Sequence, residues 1–313
     1  MKYCFGVDIG GTTVKMGLFE KSGKILDKWE IVTKTEEEGK AVLPDIADSV
    51  AEKINEHHLA KEDVIGIGVG VPAPVTEKGV VNGSANIGWG YKDVKGELEE
   101  LTGLPAEVGN DANVAALGEM WQGGGEGQSN IIMVTLGTGV GGGVIIGGNV
   151  VVGTHGAGGE IGHLCVNYEE TETCGCGSRG CLEQYASATG IVRLAKRQLA
   201  EETRKTVLDS ETVTAKDVFD AVKAGDAVAQ EIAVEFGRYL GYGLANLAVV
   251  TDPAVIVIGG GVSKAGEVLI PYIQKPFLER AFFANRDVEF KLATLGNDAG
   301  ICGSAKLILD KRG

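Results

Sequence analysis

Two glycine-rich turns, each lying between two apolar runs, set the strongest limit on the fold of this chain. The first is Gly11–Phe19, with the sequence GTTVKMGLF, and the second is Gly137–Ile145, with the sequence GTGVGGGVI. Each follows a strand-like run, YCFGVDIG in the first case and NIIMVTLG in the second. A glycine turn between apolar runs is typical of a tight β-hairpin. The two units therefore predict two domains of related topology that face each other across a cleft.

The rest of the chain alternates between short apolar runs and amphipathic segments. Continuous apolar runs at Tyr3–Ile9, Val64–Val71 and Ile131–Leu136 predict buried strands. The β-branched run VIIGGNVVV at Val144–Val152 has glycines inside it, which predicts a hairpin, and a helix is expected over Leu182–Leu199. This alternation predicts an α/β fold.

Charge and hydropathy exclude several classes of function. The net charge of −14 argues against a protein that reads a nucleic-acid backbone, because such proteins need a clustered Lys/Arg surface. No apolar run reaches the length of about 18 residues that a membrane span needs. The N-terminus enters a strand-like run directly, without an apolar signal segment. We therefore expect a cytoplasmic protein that binds neither nucleic acid nor membrane.

Three of the six cysteines lie in one short stretch, TCGCGSRGCLEQ, at Thr173–Gln184. In a reducing compartment such a cluster is more often a metal site or a catalytic site than a set of disulfides. His163 is the best candidate for a fourth ligand, and with Cys174, Cys176 and Cys181 it would complete a tetrahedral zinc site. Spacing alone leaves a redox pair and an incidental cluster as alternatives.

The glycine turn at Gly137–Gly142 matches more than one phosphate-binding pattern. It has the G-x-G-x-x-G spacing of a dinucleotide fingerprint, but that motif must open a helix, and here a β-branched run follows. It also matches the glycine loop of protein kinases, yet the H-R-D and D-F-G motifs of those enzymes are missing from the sequence. Together, the two glycine turns favour an ATP site between two lobes.

Three acidic residues have ordinary structural interpretations when they are taken by themselves. Asp111 would cap the helix that starts at Ala112. Glu160 would be a solvated loop acid, and Glu183 would be a first-turn residue favoured by the helix dipole.

Four stretches carry a resemblance to known proteins. DIGGTTVKMGLF at Asp8–Phe19 is similar to the first phosphate motif of the actin, heat-shock-70 and sugar-kinase superfamily. Three others resemble the ROK family of bacterial sugar kinases and sugar-responsive repressors, and within it the ATP-dependent glucokinases. These are GNDANVAALGE at Gly109–Glu119, LGTGVGGGVIIGGNVVVGTHGAGGEIGH at Leu136–His163 and CGCGSRGCLE at Cys174–Glu183. The resemblance implies a two-lobed, actin-like (ribonuclease H-like) ATPase and sugar-kinase fold with a cleft between the lobes.

The same resemblance implies a role for each matching residue, with Asp111 as the catalytic base. The residues implied to hold the sugar are Asn110, Asp111, Glu160, His163 and Glu183, and Asn86 in SANIGWG is a further candidate. Those implied to hold ATP are Asp8, Gly10, Gly11, Thr12, Thr13, Lys15, Gly137, Thr138, Gly139, Val140, Gly259 and Gly260, with Asp8 near Mg²⁺. The implied ligands of a structural zinc ion are His163, Cys174, Cys176 and Cys181.

The expected activity is transfer of the γ-phosphoryl group of ATP to the 6-hydroxyl of glucose, by a homodimer or homotetramer. Residues 1–118 plus 299–313 would form the small lobe, and residues 119–298 the large lobe. A kinase for N-acetylmannosamine, N-acetylglucosamine or fructose is the main alternative, and polyphosphate is an alternative donor. A sugar-responsive repressor is disfavoured because the first phosphate motif begins at Gly6, which leaves no room for a preceding helix-turn-helix segment. A chaperone or structural ATPase of the actin kind would not explain Asp111 beside the cysteine cluster.

Overall fold

The computed structural model describes residues 2–84 and 86–313, which fold into two units. Unit 1 comprises Met1–Gly127, Asn149–Gly159 and Leu295–Gly313, and unit 2 comprises Gln128–Gly148 and Glu160–Thr294. The division expected from the sequence, at residues 118/119 and 298/299, differs because it assigns residues 119–127, 149–159 and 295–298 to the large lobe, whereas all three segments belong to unit 1. Among the described residues, none of the helices combines the length and apolar character that crossing a membrane requires.

The secondary structure follows the expected alternation. The strands are β1 (Tyr3–Ile9), β2 (Thr13–Glu20), β3 (Ile25–Val32), β4 (Val64–Val71), β5 (Val80–Ser84), β6 (Trp89–Asp93), β7 (Ala106–Asn110), β8 (Ile131–Leu136), β9 (Val140–Ile146), β10 (Asn149–Val150), β11 (Val255–Gly259) and β12 (Glu289–Leu292). The helices are α1 (Glu36–Gly39), α2 (Val42–Glu56), α3 (Val94–Thr102), α4 (Asp111–Gln122), α5 (Glu183–Ala186), α6 (Ala188–Glu201), α7 (Ala215–Lys223), α8 (Ala227–Thr251), α9 (Leu269–Arg280) and α10 (Ala299–Arg312).

The main sheet of unit 1 has the strand order β3-β2-β1-β4-β7. Strands β1 and β2 form an antiparallel hairpin, in which Asp8 lies opposite Lys15, and β4 and β7 continue the sheet parallel to β1. The central strands β1 and β4 consist largely of buried apolar residues, because both faces of this part of the sheet are covered. The carboxyl ends of β1, β4 and β7 therefore lie along one edge of the sheet, where ligands bind in open α/β sheets.

Unit 2 repeats this pattern. Strands β8 and β9 form an antiparallel hairpin, β11 lies parallel to β8, and β12 lies parallel to β11. The two hairpins are the two glycine turns of the sequence, so the prediction of two units with related topology is confirmed. β9 ends at Ile146 because Gly147 and Gly148 turn the chain with φ of 57° and 79°. The hairpin expected over Val144–Val152 is therefore confirmed, since β10 follows this turn and lies next to β9 in the sheet.

The segment after the cysteine cluster also departs from the expected helix over Leu182–Leu199. Ser187 has an extended backbone, with ψ of 168°, and it separates α5 from α6. Its hydroxyl oxygen accepts a hydrogen bond from the amide of Gly190 at 2.9 Å, which caps α6. The break turns the start of α6 toward the second glycine turn.

Part of the high glycine content, 49 of 313 residues, serves close packing of α10 on the sheet of unit 1. A Cβ on Gly6 would lie 2.0 Å from the carbonyl oxygen of Ile301, and one on Gly68 would lie 1.7 Å from that of Ser304. These distances leave no room for any other residue in β1 or β4 at these points. Helix α10 therefore lies directly on the backbone of the two strands.

Candidate active site

The first glycine turn joins β1 to β2 in unit 1. The amide of Gly10 donates to the carbonyl oxygen of Thr13 at 3.0 Å, and Gly11 and Thr12 are exposed. Thr33 fixes the turn from the side: its hydroxyl donates to the Gly10 carbonyl at 2.7 Å, and its amide donates to the Thr12 carbonyl at 2.9 Å. The turn is thus a short, fixed loop of small residues that an anion can approach closely.

Asp8 lies at the carboxyl end of β1, immediately before this turn. Its carboxylate packs against the start of α10, since a Cβ on Gly300 would lie 2.5 Å from it. Burial, and to a lesser extent the charge of Asp111, raise the pKa of the Asp8 carboxyl to about 6, against the lowering effect of Lys15. The site therefore concentrates negative charge that a bound cation would neutralise.

Asp111 is the first residue of α4, directly after β7. The N-cap of this helix is Asn110, whose side-chain oxygen accepts from the amide of Asn113 at 3.1 Å. The side-chain nitrogen of Asn110 donates to the carbonyl oxygen of Ala73 at 3.1 Å, which ties β7 to the loop after β4. Asp111 accepts a hydrogen bond from the amide of Ala112 at 2.7 Å. The capping role considered for Asp111 therefore belongs to Asn110, and the carboxylate of Asp111 lies close enough to Asp8 to affect its pKa.

Asn86 is exposed and lies beside the first glycine turn. A Cβ on Gly11 would lie 3.6 Å from its carbonyl oxygen and 3.8 Å from its own Cβ. Within unit 1, the structure therefore brings together Asp8, Asn86, Asp111 and the turn at Gly10–Thr13, with Asn110 next to Asp111 in sequence.

The second glycine turn joins β8 to β9 in unit 2 and is held by the segment Glu183–Thr189. Gly137 donates its amide to the carbonyl oxygen of Gly139 at 3.0 Å, which closes the turn. Three further hydrogen bonds hold it in place: Val140 N to Glu183 Oε2 at 3.0 Å, Ala188 N to Gly137 O at 2.7 Å, and Thr189 Oγ1 to Thr138 O at 2.8 Å. The turn has little freedom to change shape.

Gly259 is the last residue of β11 and Gly260 follows it, and both lie next to the start of this turn. Gly259 is paired with Thr135 of β8, and Gly260 has φ of 83°. A Cβ on Gly260 would lie 2.5 Å from the backbone nitrogen of Leu136, so this position requires glycine. The structure thus places the two glycine segments predicted to hold the nucleotide at one edge of the sheet of unit 2.

The cysteine cluster forms a compact set of donor atoms in unit 2. The ligand atoms of His163, Cys174, Cys176 and Cys181 all lie within 4.8 Å of one another. The Sγ atoms of Cys176 and Cys181 are 3.7 Å apart. Zn–S bonds of about 2.3 Å at the tetrahedral angle place two sulfur ligands about 3.8 Å apart. The donor set therefore fits zinc, and all six cysteines are free of disulfides.

The thiols of this cluster differ in acidity. A hydrogen bond from the backbone of Ser178 lowers the pKa of Cys176 to about 7, whereas burial raises the pKa of Cys181 to about 12. Because zinc binds thiolates, a metal ion must displace protons from the buried thiols.

The three side chains of unit 2 predicted to hold the sugar have different surroundings. Glu160 and His163 are exposed at the two ends of a short 3₁₀ turn, in which the amide of His163 donates to the carbonyl oxygen of Glu160 at 3.1 Å. Glu183 is half-buried, and its other carboxylate oxygen, Oε1, lies 3.8 Å from Sγ of Cys174. Glu183 therefore joins the cysteine cluster to the second glycine turn.

Sequence reasoning missed several residues that shape these sites. Thr33 follows β3, an edge strand whose mixed composition gave no signal, and Gly300 carries no motif that points to Asp8. Thr189 donates a hydrogen bond to the second turn from the first turn of α6. This contact was missed because one unbroken helix was expected over this segment.

A comparison with protein-family models matches residues 4–311 to the ROK family. The chain belongs to the ROK family. Among curated ROK-like relatives, the glucokinase of Halalkalibacterium halodurans is 46% identical, over 98% of this chain and 95% of its own length. The crystal structure of a ROK family glucokinase from Streptomyces griseus in complex with glucose and AMPPNP matches this structure with a TM-score of 0.73. The match covers 97% of this chain and 98% of that one, at 35% sequence identity. The ROK hexokinase of Thermus thermophilus is 32% identical with a TM-score of 0.82, over 99% of this chain and 100% of that one.

Membership of the ROK family confirms the resemblance stated from the sequence motifs and the α/β sugar-kinase fold. It also agrees with the rejection of the dinucleotide and protein-kinase patterns. The second glycine turn opens a hairpin rather than a helix, as β8 and β9 show.

Proposed function

We propose that this protein is an ATP-dependent glucokinase, which transfers the γ-phosphoryl group of ATP to the 6-hydroxyl of glucose. The observation that carries the proposal is the similarity to glucokinases over nearly the full length of the chain, including one whose structure contains glucose and AMPPNP. The two fixed glycine turns and the paired carboxylates Asp8 and Asp111 are the local features that this chemistry requires.

Each group in unit 1 has a defined part in the proposed reaction. Asp111 accepts the proton of the sugar hydroxyl as its oxygen forms a bond to the γ-phosphorus, and the bond from that phosphorus to the bridging oxygen breaks to release ADP. Asp8 would face the magnesium ion that accompanies ATP, and that ion would neutralise phosphate charge. Lys15 and the turn at Gly10–Thr13 contact phosphate oxygens. Asn86 and Asn110 donate to sugar hydroxyls.

In unit 2, the turn at Gly137–Val140 contacts phosphates, and Gly259 and Gly260 border the adenosine. Glu160, His163 and Glu183 are the proposed sugar contacts there. Zinc is the proposed ion for His163, Cys174, Cys176 and Cys181, where all four protein ligands leave no open position for a substrate. A dimeric or tetrameric state and a cytoplasmic location stay predictions from the sequence.

A coupled assay with ATP and Mg²⁺ across a panel of sugars tests the proposal. We expect the highest kcat/KM with glucose, and lower values with N-acetylmannosamine, N-acetylglucosamine and fructose. A higher value for any of these three would assign the protein to that sugar instead. Replacing ATP with polyphosphate in the same assay decides the donor, and we expect ATP to give the higher rate.

A further inference from the structure

The carboxylate of Glu183 makes its closest contact with the second glycine turn. Its Oε2 atom accepts a hydrogen bond from the amide of Val140 at 3.0 Å, although the two residues are 43 positions apart in the chain. A Cβ on Gly139 would lie 2.2 Å from the same oxygen, so the carboxylate can reach this amide only because residue 139 is glycine. A hydrogen bond between a backbone amide and an ionised carboxylate is stronger than one between neutral groups.

The rest of Glu183 is fixed as well. Its carbonyl oxygen accepts a hydrogen bond from the hydroxyl of Ser187 at 2.7 Å, at the break between α5 and α6. Its Oε1 atom lies 3.8 Å from Sγ of Cys174. Both carboxylate oxygens therefore face protein groups, one in the glycine turn and one in the cysteine cluster.

Two further hydrogen bonds from the segment Glu183–Thr189 to the turn come from uncharged groups. The amide of Ala188 and the hydroxyl of Thr189 hold carbonyl oxygens of the turn. Glu183 fixes the amide of Val140 through its side chain, and backbone amides are the groups that contact phosphate in such turns. The backbone at Gly139 and Val140 is thus held by this carboxylate.

We propose that Glu183 is a positioning residue for the phosphates of the nucleotide, acting through the amide of Val140. This inference rests on the proposed function, since it requires that the second glycine turn binds ATP. It goes beyond the sugar-binding role predicted for Glu183, because the loss of the carboxylate should weaken nucleotide binding even when no sugar is present.

Titration calorimetry with Mg²⁺-AMPPNP, without glucose, tests this role in three variants of Glu183. We expect Glu183→Ala to raise the Kd about ten-fold, because a hydrogen bond to a charged group is lost. Glu183→Asp should have a similar effect, since the shorter side chain cannot reach the amide of Val140. Glu183→Gln should stay within about three-fold of the wild type, because its amide oxygen can still accept this hydrogen bond. Glu201→Ala, which removes an exposed carboxylate at the C-terminal end of α6, is the matched control and should leave the Kd unchanged.

The metal content of every variant is measured by mass spectrometry in parallel. A raised Kd for the Ala and Asp variants at wild-type metal content, with rescue by Gln, supports the proposal. A wild-type Kd in the Asp variant overturns it, as does a Kd that rises only in variants that lose metal. If Glu183→Ala does not fold, the Asp and Gln variants decide the question. Failure of the wild-type protein to bind AMPPNP would count against the proposed function itself, and so is distinct from failure of the inference.

Discussion

Asp8 shows how a single buried carboxylate can act against the stability of its own fold. Burial against Gly300 and the charge of Asp111 keep its pKa at about 6, above the ordinary value of 3.8. Between these two values the unfolded chain releases the proton more readily than the folded chain. The free energy of unfolding therefore falls as the pH rises from about 4 to above 6, by about 3 kcal/mol in total.

Replacing Asp8 with Asn should stabilise the protein in the absence of ligands. At pH 7 we expect the free energy of unfolding to rise by up to about 3 kcal/mol, and the gain should shrink toward pH 4, where both proteins carry a neutral side chain. Urea unfolding at several pH values measures this difference. Asp48→Asn, on an exposed face of α2, is the control and should change stability by less than about 0.5 kcal/mol. A pH-independent difference for Asp8→Asn would contradict the assigned pKa.

Asp111→Ala should lower kcat by about 10² to 10⁴, the usual contribution of a general base. The affinity for glucose should change by no more than a few-fold, because Asn110 and not Asp111 caps α4 and keeps the local structure in place. Steady-state kinetics with calorimetric glucose titration separates the two effects. Turnover close to that of the wild type would remove Asp111 from the role of base.

Most individual residues of the candidate site could be predicted from the sequence, but the contacts between them could not. Asp8, Asp111 and the glycines stand in motifs whose residue types suit phosphate and proton chemistry, so their roles could be proposed without coordinates. The contact between Glu183 and the amide of Val140 could not, because it joins two residues that are 43 positions apart in the chain. The break at Ser187, which brings α6 against the turn, also carries no periodic signal.

At the scale of elements, buried strands were the most predictable features. β1, β4 and β8 have the bounds that their apolar runs predict, because strands covered on both faces are apolar throughout. β3 was missed because it lies at the edge of its sheet, where exposed and half-buried residues mix polar and apolar types. The hairpin of β5 and β6 was missed because each strand is short and partly exposed.

The packing of α10 gives a prediction about helix contacts. A Cβ on Gly303 would lie 1.5 Å from the carbonyl oxygen of Val114 in α4, and backbone cannot yield as a flexible side chain can. We expect Gly303→Ala to lower the free energy of unfolding by about 3 kcal/mol or more, as overpacking of a close contact does. Gly90→Ala is the control, since nothing lies within 4 Å of its added Cβ, and it should be nearly neutral. Equal stability of the two variants in thermal unfolding would contradict the close contact.

At the scale of the whole molecule, metal binding and folding should be linked. Four ligands from two separate segments are brought together only in the folded state, so the free energy of metal binding adds to that of folding. We expect about one zinc ion per chain, and a Tm that falls by several degrees when a chelator removes it.

The matched variants are Cys181→Ser, which removes a ligand, and Cys165→Ser, which leaves the ligand set complete. The first should lose zinc and the added stability, and the second should keep both. A zinc content far below one per chain in the wild type, or a Tm insensitive to chelation, would show that the cluster is not a structural zinc site.

The discontinuous course of unit 1 determines the order in which the chain can fold on the ribosome. Helix α10 follows all of unit 2 in the sequence, yet it packs on β1 and β4 and against α4 of unit 1. The sheet of unit 1 is therefore synthesised early but stays uncovered on one face until the last helix emerges. Unit 2, whose strands and helices are all made before α10, can complete its core first. We therefore expect the half of the molecule that is translated first to complete its core last, with one face of its sheet exposed to solvent during synthesis.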